Sequence, residues 1–78
     1  MNMSFQDLKV GDQARVSGFK SLDNSYRNRL LSMGLTPGTL FEVKRVAPLA
    51  DPVEILVRGF RLSLRRDEAA GVLVELVE

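Results

Sequence analysis

The chain has 78 residues, 45% of them apolar and 27% charged, with a net charge of +1 and neither cysteine nor histidine. That is enough for one thin-cored domain, and it excludes a disulfide framework, a histidine- or cysteine-ligated metal and a strongly basic nucleic-acid binder. No apolar run approaches the roughly 20 residues of a membrane span. The start, "MNMSFQDLKVG", lacks the basic and apolar regions of a signal peptide, so a cytoplasmic location without membrane insertion is expected.

Leu8 and Val10 precede Gly11-Asp12, a turn signal. Ala14 and Val16 then alternate with Gln13, Arg15 and Ser17, the pattern of a strand with one buried face. In "SLDNSYRNRLLSMG" Tyr26, Leu30 and Met33 fall at i, i+4 and i+7. The spacing predicts a helix from about Ser25 to Met33, capped by the side-chain oxygen of Asn24 or Ser25.

Gly34 stands where a helix end needs a left-handed residue, and Leu35 where an apolar side chain folds back on the last turn. Pro37-Gly38 matches the two central positions of a type II turn. "LLSMGLTPGTLFEV" is thus a joint between helix and strand, without the spacing of a phosphate-binding loop.

Phe41 and Val43 alternate against Glu42 and Lys44, but Val46 is out of phase. A bulge near Lys44-Arg45 restores the alternation. After the proline-bounded loop "APLADP", the stretch "VEILVRGFRLSLR" reads as a hairpin about Arg58-Gly59. That register pairs Val57 with Phe60, Ile55 with Leu62 and Val53 with Leu64 on one face, so Phe60 is expected inside with Phe41. The opposite face carries Glu54, Leu56, Arg58, Arg61, Ser63 and Arg65. Asp67 then caps one helical turn, Glu68-Ala69-Ala70, ended by Gly71, and Val72, Val74 and Leu76 form a last strand. The sum is mainly β: a small barrel-like fold of about five strands, one helix after the first strand and a helical turn before the last.

The pieces "RLLSMGLTPGT", "VAPLADPVEI" and "LSLRRDEAAGVLV", in this order and spacing, resemble the ferrous-iron transport protein A (FeoA) family over residues 8 to 77. The resemblance departs at Ala50, where the family's loop usually has glycine. It implies a single SH3-like barrel, a fold shared with the C-terminal domain of iron-dependent repressors. It also implies a cytoplasmic accessory to FeoB, a membrane ferrous-iron transporter with a GTP-hydrolysing domain.

The residues themselves point away from catalysis. Histidine and cysteine, the commonest bases and nucleophiles at neutral pH, are absent. Asp51, Glu54, Asp67 and Glu68 read as turn, strand-surface and cap residues rather than a ferrous site, which favours histidine with carboxylate. No catalytic residue, metal ligand or cofactor is therefore expected. The candidate partner surface has two parts. One is Leu31, Met33, Leu35 and Pro37 at the helix-to-turn joint, with ordinary core packing as the alternative. The other is the stripe Arg58, Arg61 and Arg65, which docks an acidic surface or serves only to keep a strand edge soluble. An arginine supplied in trans to a partner's phosphoryl-transfer site is a sharper role; the sequence does not choose among its eight arginines, and Arg27 and Arg29 fit as well as Arg61. Gly34, Pro37, Gly38, Gly59 and Gly71 are read as turn residues. The main functional expectation is regulation of iron uptake by binding FeoB's cytoplasmic part. The alternatives are a repressor-type regulatory module and a small-barrel nucleic-acid binder, whose lack of outward aromatics counts against it.

Overall fold

In the computed structural model, residues 3–20, 24–49 and 51–77 are described. Six strands and one helix follow one another: β1 (Met3–Ser4), β2 (Gln13–Phe19), α1 (Asn24–Ser32), β3 (Leu40–Val46), β4 (Val53–Val57), β5 (Phe60–Leu64) and β6 (Val72–Leu76). The strands form one antiparallel sheet in the order β1-β6-β2-β3-β4-β5, so β1 and β5 are its two edges. The fold class agrees with the expectation, with one strand more than expected.

The extra strand is β1, which pairs Met3 with Val74 and Ser4 with Leu73. A single 3-10 turn, Phe5–Asp7, follows it. Asp7 Oδ2 accepts from the Ser4 N–H at 3.0 Å and satisfies a donor at the start of that turn. The turn drives Phe5 into the core, where its ring stacks on Phe41 with centroids 6.1 Å apart. Arg66 Nη1 ties the same segment down by donating to the Gln6 carbonyl at 2.7 Å.

The inner face of the sheet carries Ala14, Val16, Phe41, Val43, Val53, Ile55, Val57, Val72 and Val74, all buried. The alternation that predicted β2, β3, β4 and β6 is the period-2 signature of this face. The phase slip in β3 is a real irregularity: the register with β4 shifts between Val43 and Arg45, and Val46 returns inward opposite Val53. A second shift, between Val16 and Gly18, bends β2 against β6. Two bends in neighbouring strands curl the sheet about its core.

The hairpin register is as expected, Val57 opposite Phe60, Ile55 opposite Leu62 and Val53 opposite Leu64. Arg58 (φ +51°) and Gly59 (φ +82°) are both left-handed, as a type I′ turn requires. One expectation fails here. Phe60 is 72% exposed, not inside. Pairing places it on the inner face, but β5 is an edge strand and its turn end projects past the core. Two smaller details concern the other elements. Helix α1 begins at Asn24, so Asn24 and Ser25 are helical residues rather than caps, and the residue before them lies outside the described part. Residues 66–71 form successive turns that include one helical i→i−4 bond, so the expected single helical turn does not lengthen into a helix. In them the Ala69 N–H donates to the Arg65 carbonyl at 3.1 Å and Val72 to Ala69 at 3.0 Å. Ala69 is fully buried, and the Gly71 carbonyl accepts from Lys20 at 2.7 Å.

The end of α1 is a Schellman motif. The Gly34 N–H donates to the Leu31 carbonyl and the Leu35 N–H to the Leu30 carbonyl, each at 3.1 Å. Gly34 has φ +96°, which a side chain resists even though a Cβ there would touch only Arg58 Cδ at 3.8 Å. Gly34→Ala is therefore expected to lower stability by about 1–2 kcal/mol, the usual cost of a left-handed non-glycine residue. Chemical denaturation checks this. An unchanged midpoint would mean that the motif does not hold the joint.

Candidate functional site

One member of the arginine stripe, Arg58, meets the helix-to-turn joint in the fold. After the Schellman motif the chain turns through Thr36–Thr39. The Thr39 N–H donates to the Thr36 carbonyl at 3.0 Å, and Gly38 has φ +91°, as expected of a type II turn. The Gly38 N–H then donates to Val16 at 2.7 Å, which pins the turn to β2. From the other side the hairpin turn brings Arg58. Its Nη2 donates to Thr39 Oγ1 at 3.3 Å and lies 3.5 Å from Thr36 Oγ1. The two threonine hydroxyls are 2.8 Å apart, and Thr39 is nearly buried. Arg58 thus bridges β5's turn to the joint after α1.

Below that bridge, α1 faces β5 across a small groove of about 40 Å³ lined by Tyr26, Arg29, Leu30, Met33, Ser63, Leu64 and Glu68. Leu30 and Leu64 are buried, and Met33 is half-buried against the core. Arg29 and Glu68 close one side with an ion pair at 3.6 Å.

The remaining candidates divide by exposure. Leu31 is half-buried and Pro37 exposed. Leu35 is 1% exposed, so it supports the joint from beneath and leaves the accessible surface. The arginines are exposed but not equally free. Arg61 pairs with Glu54 on the outer face of the hairpin. Arg65 reaches Asp51 at 3.8 Å, and the other oxygen of Asp51 accepts from the Arg66 N–H at 2.8 Å. Asp51 thereby clamps the end of the 47–52 loop to the chain after β5. Ala50, in the same loop, lies outside the described residues.

Sequence reasoning missed two exposed apolar residues, Phe60 and the 91% exposed Leu49 in the loop before β4. Leu49 had a signal, an apolar residue between two prolines. Phe60 had none, because its alternation matches that of a core residue. Among the described residues no three carboxylates converge as a metal site would require, and no helix is long and apolar enough to cross a membrane.

The model of the FeoA domain matches residues 3–76. The chain belongs to the FeoA family. Over 78 residues it is 40% identical to the Fe(2+) transport protein A/Fe(2+) transporter FeoB fusion protein of Porphyromonas gingivalis, covering 96% of this chain and 9% of the fusion. The FeoA protein of Chlorobium tepidum is 38% identical and superposes with a TM-score of 0.89, over 97% of this chain and 71% of that one. The zinc-complexed FeoA of Stenotrophomonas maltophilia, 25% identical, superposes with a TM-score of 0.81 over 94% of this chain and 89% of its own. That protein is described as a prokaryotic SH3 domain protein and a possible activating factor of ferrous iron transport. The chain therefore has the SH3-like fold of a family associated with ferrous iron transport. Its sheet nevertheless remains open between β1 and β5.

Proposed function

We propose that this FeoA-family chain is a non-enzymatic accessory of ferrous-iron uptake that acts in the cytoplasm by docking on the cytoplasmic part of FeoB. The observation that carries the reading is the Porphyromonas gingivalis relative, in which an FeoA segment is fused to FeoB. A domain that is fused to a transporter in one organism is held beside that transporter there. Fusion supplies proximity, so contacts between the two parts form at high effective concentration.

The docking face in this reading is the joint after α1 together with the hairpin turn: Leu31, Met33 and Pro37, with Arg58 bridging to them. Arg61 and Arg65 lie at its rim, where charge steers association more than it holds it. The mechanism is a binding event that biases the transporter's GTPase cycle or its assembly.

Calorimetric titration into the soluble GTPase domain of FeoB tests this. The chain is expected to bind. Leu31→Asp and Arg58→Glu are each expected to weaken binding about tenfold while retaining the fold, the effect of losing about 1.4 kcal/mol at an interface. Wild-type affinity in both variants would remove this face from the reading.

A further inference from the structure

The exposed edge of the sheet beside the groove has a definite chemistry. In a two-residue hairpin the pairs 57/60, 55/62 and 53/64 exchange hydrogen bonds, so the backbone groups of Phe60, Leu62 and Leu64 point toward β4. Those of Arg61 and Ser63 point away from it, to the outside of the sheet. Among the described residues neither has a backbone partner there. β5 therefore presents an open ladder of N–H and C=O groups, the template for one more strand.

What surrounds this ladder selects what adds to it. Its apolar side is the groove floor of Leu30, Met33 and Leu64, with Tyr26 on the wall. Phe60 stands exposed at the start of the strand. An added strand would set alternate side chains against this floor.

The charge is one-sided. Residues 55–65 hold Arg58, Arg61 and Arg65 and no acidic residue, and α1 holds Arg27 and Arg29 and none. The nearby carboxylates of Asp51, Glu54 and Glu68 are each already matched to one arginine. Arg27 and Arg58 have no carboxylate partner among the described residues. A second copy of this chain meeting β5 edge to edge would bring these arginines together, which disfavours self-pairing.

From the open ladder, the apolar floor and the unmatched arginines, we infer that β5 takes up an extended segment of alternating apolar and acidic residues as a seventh strand. This rests on the reading that the chain works by docking on FeoB, and it gives that partner's contacting segment a chemistry.

The test uses the full chain and a capped octapeptide of alternating valine and glutamate. On titration the Arg61 and Ser63 amides are expected to shift and to exchange more slowly with solvent. The same peptide N-methylated on alternate amides, and the protein variant Ser63→Pro, are each expected to bind about tenfold more weakly, from the loss of one or two ladder bonds. Proline at 63 removes only an outward N–H, so the β4 ladder is kept, and the methylated peptide gives the same answer without altering the protein. A valine–lysine octapeptide is expected to cause no shift.

Shifts away from β5, equal binding of the lysine peptide, or equal binding of the methylated peptide would overturn the inference. So would equal shifts with an oligothymidylate, which would assign the arginines to phosphates. Protection of Arg61 and Ser63 that grows with protein concentration alone would give the edge to a second copy and also overturn it. FeoB docking without octapeptide binding would end the strand addition alone. Octapeptide binding without FeoB docking would keep the strand site and end the assignment of its partner.

Discussion

Phe5→Ala is expected to lower stability by about 3–5 kcal/mol, the range for truncating a buried phenylalanine. A chain of 78 residues has roughly 4–12 kcal/mol in total, so the loss approaches the whole of the smaller figure. Phe5 is 2% exposed, and its ring stacks on Phe41 within the core. Two effects add at this position. The cavity removes apolar burial from the core. It also releases the segment that carries β1, whose two residue pairs with β6 hold it only weakly by themselves. Thermal unfolding followed by circular dichroism is expected to show a midpoint lower by roughly 15–30 °C. A fall of only about 2 °C would mean that the N-terminal segment is an attachment to the fold rather than part of its core.

Leu35→Ala is expected to cost about 2–5 kcal/mol, again from burial and the cavity left behind. Leu35 is 1% exposed and is the apolar residue that follows the left-handed glycine in the Schellman motif. Its neighbour Pro37 is exposed, and Pro37→Ala is expected to change stability by less than about 1 kcal/mol. The contrast separates the two roles of this joint. At low temperature, where Leu35→Ala remains folded, its affinity for FeoB's GTPase domain should match that of the unaltered chain. Reduced affinity in a fully folded Leu35→Ala protein would place Leu35 at the interface and contradict the burial argument.

The parts of the fold legible in the sequence are those written in local periodicity. The β4–β5 register followed from alternation about a two-residue turn, and the β3 bulge from a single residue, Val46, out of phase. The joint after α1 followed from Gly34, Pro37 and Gly38, which supply backbone states that their neighbours do not, and from Leu35, whose apolar side chain packs beneath them. What was illegible is non-local. β1 is two residues long and its partner lies some 70 residues away, so no period announces it. Phe60 shows the limit of alternation, which tells which face a residue is on but not whether anything covers that face. Residues 66–71 had the composition of a helical turn. They make that one turn, and its two ends are tied to other segments, the Arg66 N–H to Asp51 and the Gly71 carbonyl to Lys20.

The candidate site was legible in its parts and not in its assembly. Helix-to-turn residues and the arginine stripe were separate suggestions in the sequence. Arg58 joins them by its reach to Thr36 and Thr39. Neither threonine carried a functional signal, since a threonine beside a turn is ordinary. The open edge of β5 was equally hidden, because strand order is a property of the whole sheet.

The most direct measurement is an amide chemical-shift titration of the isotope-labelled chain with the soluble cytoplasmic domain of FeoB, with and without a GTP analogue. Shifts are expected on Leu31, Met33, Gly38 and Arg58 and along β5, in at least one nucleotide state. No shift in either state, or shifts confined to the opposite outer face at Gln13, Arg15 and Glu75, would contradict the proposed docking face.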